Sequence, residues 1–294
     1  MGGITALLGL GPRSTRLQHS IGAMLLVRRP GGTVEEQAAA LLHDISHTAL
    51  SHVIDYALGS PGRQSFHDER KEAYLRGTEI PAICERHGLD WRAIADERRW
   101  PLVDQPAPRL CADRIDYTLR DAVDLGFLDA AELEEMLNDL CVMQNRIAFR
   151  SCERARRFAE AYAACDRSCW ADPFGVGLYE LTARALRRAL EIGAIRIDDL
   201  WEEDRPFWEL IHRSDDERLV RALALVSPQT RFAIADEGGD LKLQLKIRSI
   251  DPDVRTGPDR ATPLSGIDSE WASRLAADLE TRPPSVNLRI LEPA

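Results

Sequence analysis

Lysine is nearly absent from this chain: Lys71, Lys242 and Lys246 are the only three in 294 residues. Positive charge therefore rests almost wholly on arginine, which stays protonated and can grip a phosphate through two parallel donors. Net positive charge is lacking too, at -10 with a pI near 5.3. That excludes broad non-specific nucleic-acid binding, which needs many basic contacts to phosphates. No run of about 18 apolar residues occurs, so no membrane span is expected. The short apolar stretch near the N-terminus, "ITALLGLG", has no basic residue before it. A signal peptide would carry one, and the chain is expected to be cytoplasmic. The six cysteines, Cys84, Cys111, Cys141, Cys152, Cys165 and Cys169, match no zinc-finger or ribbon spacing. They read as reduced structural thiols. Cys165 and Cys169 can share a helix face, but two ligands do not make a zinc site.

What is present is mostly helical patterning. "SIGAMLLVRR" precedes a "RPGGT" turn, and "VEEQAAALLHDISHTALSHVIDYAL" continues with apolar residues at helical spacing. Thr33 predicts an N-cap, with Glu36 as its capping-box partner. "GSPGRQS" reads as a loop. Further helices are expected around 67–76, 79–87, 91–97, 109–126, 129–140, 151–165 and 177–192, with "NRIAFR" as a short strand or edge segment. "TRFAIADEGGDLKLQLKIRSI" alternates polar and apolar residues about "EGGD" and predicts a β-hairpin. "SVNLRILEPA" suggests another strand. The expected architecture is mainly α: a helical metal-binding domain over 1–225 and a small C-terminal α+β appendage, containing the hairpin, over 226–294.

One stretch stands apart. "LLHDISHTALSHVID", residues 41–55, sets His43, Asp44, His47, His52 and Asp55 in an apolar background. If this stretch is helical, His43 and His47 share a face, as do His52 and Asp55. Several ionisable groups buried together are costly unless they are paired or bind a metal. Imidazole with carboxylate suits a divalent transition ion such as manganese, iron, cobalt, nickel or zinc.

"LLHDISHTALSH", with "RLQHSIG" upstream and "ADRIDYTLRDA" downstream, resembles the HD-domain metal-dependent phosphohydrolases. The match runs over residues 14–126. Within that superfamily it is most similar to the deoxynucleoside triphosphate triphosphohydrolase branch. The resemblance implies a metal held by His19, His43, Asp44 and Asp113, with magnesium a further candidate for a second ion. It implies catalytic or supporting roles for His47, His52 and His67, with Asp55 orienting one of those histidines. It implies substrate contacts from Arg16, Arg114, Tyr117 and Asp121. It also implies a nucleotide or other phosphorylated small molecule as substrate, and a homo-oligomer.

The chain departs from that branch in places. The glutamine- and arginine-rich stretch usual before the R-x-x-H-S motif is missing, and "DPFGVG" stands where a Tyr-x-His-Lys-like element is common. Asp68 replaces a glutamate after His67. Arg184, Arg187 and Arg188 are candidates to supply phosphate contacts in their place. The leading expectation is a metal-dependent hydrolase of a phosphate ester or anhydride. One alternative is a di-iron oxygenase in which His67 and His87 complete a dinuclear site. Another is a non-catalytic nucleotide sensor.

Overall fold

The computed structural model describes residues 3–59, 61 and 64–291. Part of the loop read at 59–65 and the last three residues of "SVNLRILEPA" lie outside the described residues. After a single turn, α1 (Ile4–Leu7), come α2 (Arg16–Arg28) and α3 (Val34–Leu42). Both begin at threonine capping boxes. Thr15 pairs with Gln18, and Thr33 with Glu36 as the sequence predicts.

The stretch after α3 does not continue as a helix. His43 caps it, residues 43–52 form successive turns, and α4 covers only Val53–Ala57. Leu50 and Ser51 have positive φ, at 59° and 54°, which a right-handed helix cannot contain. The amides that a helix would use internally leave it: Ala49 N–H donates to Leu200 O and Leu50 N–H to Asp204 Oδ1, both at 2.7 Å. The apolar periodicity was real, but it reflects burial of these turns against a neighbouring segment.

The short helices α5 (Lys71–Arg76), α6 (Ile80–Arg86) and α7 (Trp91–Ala95) lead to α8 (Ala112–Asp124), which packs along α2. Next come α9 (Ala130–Asp139) and the hairpin β1 (Leu140–Met143) and β2 (Arg146–Phe149). Then come α10 (Cys152–Cys165), a π-helical turn at Asp166–Trp170, and α11 (Pro173–Glu191). The helices α12 (Asp204–Ile211) and α13 (Glu217–Ala224) close the helical body.

The C-terminal segment carries β3 (Arg231–Ala235), β4 (Leu241–Gln244), β5 (Asp253–Gly257), β6 (Arg260–Pro263), α14 (Ser269–Thr281) and β7 (Ser285–Leu291). The hairpin expected around "EGGD" is not formed, because β7 lies between β3 and β4 and pairs antiparallel with both. Leu288 is opposite Ile234 on one side and Leu241 on the other. The "EGGD" loop crosses over β7: a Cβ at Gly239 would lie 2.7 Å from Leu288 O, and its φ is +114°. Strand alternation alone does not reveal a third strand supplied from 40 residues downstream. A true hairpin does occur in this segment, between β5 and β6, and β5 extends the β1–β2 sheet through β2.

Two apolar cores result. One gathers α2, α8 and α10 around Ile115, Phe149, Phe158 and Tyr162. The other gathers α4, α11, α12 and the β3–β7–β4 sheet around Leu186, Phe207 and Leu288. No helix among the described residues is long and apolar enough to cross a membrane.

Candidate metal centre and cavity

His19 sits one turn into α2, and Asp113 lies in the first turn of α8. The packing of these helices brings them to the turn that carries His43 and Asp44. His19 Nε2 lies 3.1 Å from His43 Nε2, 3.0 Å from Asp113 Oδ1 and 3.6 Å from Asp44 Oδ2. His43 Nε2 lies 3.4 Å from Asp113 Oδ1 and 3.6 Å from Asp44 Oδ1. Thus His19, His43 and Asp44 form one set of potential ligands, and Asp113, from a third element, lies within reach of both imidazoles.

The remaining ring nitrogens are anchored. His19 Nδ1–H donates to Asp116 Oδ2 at 2.8 Å, and His43 Nδ1–H to Ala40 O at 2.7 Å. A carbonyl can only accept, so His43 carries its proton on Nδ1 and turns the Nε2 lone pair inward. Fixing one nitrogen so that the other can ligate is the usual arrangement around metal-bound histidine. Bonds of roughly 2.0–2.2 Å from a central ion give ligand-to-ligand edges of about 3.0–3.6 Å. The separations of His19 and His43 from each other and from both carboxylates match, so these side chains fit a divalent transition ion.

The electrostatics agree. Burial would lower the His19 pKa, but its hydrogen bonds with Asp113 and Asp116 outweigh that and raise it to about 10. His43 is likewise pulled down by burial and up, on balance, by Asp44 and Asp113. Burial would raise the carboxyls, yet His43 and Arg16 at Asp44, and His19 and His43 at Asp113, hold both below the ordinary carboxylate range. The pocket attracts positive charge, which a metal supplies while displacing the imidazole protons.

Asp44 also faces a second group. Its Oδ1 lies 3.5 Å from His47 Nε2, and His47 stacks on His67 with ring centroids 3.6 Å apart. Asp44, His47 and His67 form an adjacent set of potential ligands that shares Asp44 with the first. Burial, with Arg16 adding, keeps His47 well below its ordinary pKa, and burial with the nearby His52 takes His67 down to about 3. His52 Nδ1–H donates to Asp55 Oδ2 at 3.1 Å, and Asp55 Oδ1 accepts from Phe66 N–H at 3.1 Å. His52 is pushed down by burial against that hydrogen bond. His43 and His47 therefore do converge, through turn geometry and not through a shared helix face.

Arg16 binds the Asp44 carboxylate with one nitrogen and Ser51 Oγ with another. Arg114 lines the cavity, but its guanidinium is turned onto the Gln105 and Arg109 carbonyls. Tyr117 and Asp121 follow Asp113 along α8. The Tyr117 hydroxyl meets that of Tyr162 at 3.2 Å, and Trp170 Nε1–H donates to Asp121 Oδ2 at 2.7 Å. These aromatic rings line a cavity of about 720 Å³ that His19, His43, Asp44 and Asp113 line as well.

Several candidates fall elsewhere. Arg184 and Arg187 are engaged by Glu180, and Arg188 by Asp216 and Glu191; none of the three lines the cavity. His87 is exposed at the end of α6 and cannot complete a dinuclear site with His67. Sequence reasoning missed Asp116, the partner of His19, although helical spacing from Asp113 could have found it. It also missed Lys246 and Arg248, which line the same cavity from the segment between β4 and β5.

Asp121 yields a stability prediction. Burial raises its carboxyl to about 6 from 3.8, against the opposing Trp170 hydrogen bond. A carboxyl that binds its proton more tightly when folded loses stability as pH rises, here between about 4 and 6. The loss is at most about 3 kcal/mol. Asp121→Asn keeps an acceptor for Trp170 and removes the titration. Urea unfolding across this range is expected to show the wild type losing stability relative to Asp121→Asn. A constant difference would contradict the buried, raised carboxyl.

A histidine–aspartate cluster at the meeting of helices, open to a cavity, is a kind of site found in the class of metal-dependent hydrolases. Comparison with known proteins places the chain in it. The chain is 39% identical over 279 residues to the metal-dependent phosphohydrolase cns2 of Cordyceps militaris, covering 92% of this chain and 80% of that one. The chain belongs to the HD-type metal-dependent phosphohydrolases. It is also 34% identical to the uncharacterized protein YdhJ of Bacillus subtilis, over 99% of this chain and 89% of that one. A solved phosphohydrolase of Bacteroides thetaiotaomicron shares the fold at TM-score 0.58 and 16% identity, over 97% of this chain and 89% of that one. No family model matches the chain.

Proposed function

We propose that the protein hydrolyses a phosphate ester or anhydride of a nucleotide, using a divalent transition metal held by His19, His43, Asp44 and Asp113. The observation that carries this reading is the cavity of about 720 Å³ lined both by those four side chains and by Tyr117, Tyr162 and Trp170. The volume suits a nucleotide-sized ligand, and ligand pockets are commonly about 300–1,000 Å³. When bound, the metal supplies Lewis acidity toward a phosphoryl oxygen and lowers the pKa of a water.

The chain's own groups supply the rest. His52, oriented by Asp55, and His67 line the cavity with burial holding both below the ordinary imidazole pKa, which suits them to accept a proton. Arg16 holds Asp44 in place, and Arg114 adds positive charge beside the phosphate. Tyr117 and Asp121 offer hydrogen bonds to a sugar hydroxyl, while the rings give the base an apolar surface. The branch-specific triphosphohydrolase activity is one form this chemistry can take. Manganese is the first metal to try, and a homo-oligomer is part of the proposal.

The experiment is a panel of ribo- and deoxynucleoside mono-, di- and triphosphates incubated with manganese-loaded protein, with products identified by chromatography and mass. Turnover of at least one class, yielding phosphate, pyrophosphate or triphosphate, is expected. Silence across the panel with several metals would overturn the nucleotide reading.

A further inference from the structure

The turn that carries His43 and Asp44 is seated on the start of α12 and the residues just before it. Near its end it holds two consecutive left-handed residues, Leu50 and Ser51, at φ 59° and 54°. Neither is a glycine, so this conformation costs energy and persists only where neighbours impose it. Two consecutive amides leave the turn for the same neighbouring stretch. Ala49 N–H donates to Leu200 O and Leu50 N–H to Asp204 Oδ1, both at 2.7 Å. The Leu50 carbonyl is closely packed as well. A Cβ at Gly3 would overlap Leu50 O, and Gly3 has a φ of +52°.

The left-handed pair presents Ser51 Oγ to Arg16. One terminal nitrogen of that guanidinium donates to Ser51 Oγ and the other to the Asp44 carboxylate. Arg16 therefore ties the end of the turn to Asp44 near its start. An acid in the first turn of a helix has a local use, because it favours the helix dipole. Asp204 is such an acid in α12, yet its Oδ1 reaches a backbone amide 154 residues away in sequence. A carboxylate is also a stronger acceptor for that amide than a neutral oxygen would be. An unbroken line of hydrogen bonds and backbone thus runs from Asp204 through Leu50 and Ser51 to Arg16 and Asp44.

We propose that Asp204 is a positioning residue for Asp44, acting through the Leu50–Ser51 turn and Arg16. Asp204 holds the Leu50 amide and so fixes the left-handed turn. The turn sets where Ser51 Oγ stands, and Ser51 Oγ sets the orientation in which Arg16 grips Asp44. This rests on the metal reading above and deepens it, by adding a side chain from α12 that lies far from the metal-ligand motifs in sequence.

Manganese affinity, measured by chelator competition beside urea unfolding of the same proteins, tests this without requiring turnover. Asp204→Ala is expected to weaken manganese binding by about tenfold, the lower end of the range for outer partners of metal ligands. Asp204→Asn keeps an acceptor for Leu50 N–H and should restore most of that affinity. Ser51→Ala is expected to weaken binding by a similar factor. The double variant Asp204→Ala with Ser51→Ala should bind little more weakly than either single one, because residues in one chain of contacts do not act additively. A role confined to α12 would lower stability in the Asp204 variants and leave the manganese affinity of the folded protein unchanged. Unfolding curves show which variants are folded, and if Asp204→Ala is not, Ser51→Ala decides. Wild-type manganese affinity in folded Asp204→Ala or in Ser51→Ala, or fully additive losses in the double variant, overturns the positioning role. A wild type that binds no manganese would overturn the metal reading, and the positioning role with it.

Discussion

Asp44→Asn is expected to lower kcat/KM for a hydrolysed nucleotide by roughly a thousandfold, the scale on which removing a central electrostatic group acts. The side chain keeps its shape and loses its charge. That charge stands at the middle of the site. Asp44 Oδ1 faces His43 and His47 at 3.6 and 3.5 Å, while Oδ2 takes the Arg16 guanidinium and lies 3.6 Å from His19. A neutral amide there removes one anionic ligand and leaves Arg16 without its carboxylate. The loss should appear mainly in kcat, together with a fall in bound metal. Turnover within about threefold of wild type, at full metal content, would show that Asp44 is not a ligand.

The second large effect comes from a residue that touches no ligand. Gly22 lies on the face of α2 that meets α8, one turn beyond His19. A Cβ there would fall 1.7 Å from Asp116 Oδ1 and 2.7 Å from an Arg120 nitrogen. Asp116 cannot yield freely, because its other oxygen accepts from His19 Nδ1–H at 2.8 Å and from Arg120 Nε–H at 2.7 Å. Gly22→Ala is therefore expected to push Asp116 off His19 and release the imidazole. Outer partners of metal ligands are commonly worth about 10–100-fold in metal affinity, and a loss on that scale is expected in a chelator competition assay. Unchanged metal affinity, with the protein folded, would mean that Asp116 does not set the orientation of His19.

The two predictions also mark what the sequence could and could not reveal. His19, His43, Asp44 and Asp113 were legible because three separated motifs carry them and their chemistry is unusual for a helical core. The structure brings those four together. The backbone beneath them was less legible. Apolar spacing from Val34 to Leu58 reads as one helix, and the break at Leu50 and Ser51 lies in φ values that these residue types do not announce. Asp116 and Gly22 were hidden because a carboxylate and a glycine on helices have many ordinary reasons to be there. Lys246 and Arg248 were hidden in an alternating stretch that suggested a hairpin. Their position depends on β7, about 40 residues downstream, which enters between β3 and β4 and sets where their segment begins. The arginines 184, 187 and 188 show the converse. Their charge suggested phosphate, but Glu180 and Glu191 on the same helix and Asp216 at the N-cap of α13 lie within reach.

His19, His43, Asp44 and Asp113, which line the cavity, are proposed to hold a divalent metal. The most direct measurement is an anomalous difference map from a crystal of the protein soaked in manganese, with data collected on both sides of the absorption edge. A peak is expected at roughly 2.0–2.3 Å from His19 Nε2, His43 Nε2 and one oxygen each of Asp44 and Asp113. A second peak beside His47 and His67, sharing Asp44, would extend the site to two ions. A map with no peak among those four side chains, or with its peak elsewhere in the chain, would contradict it.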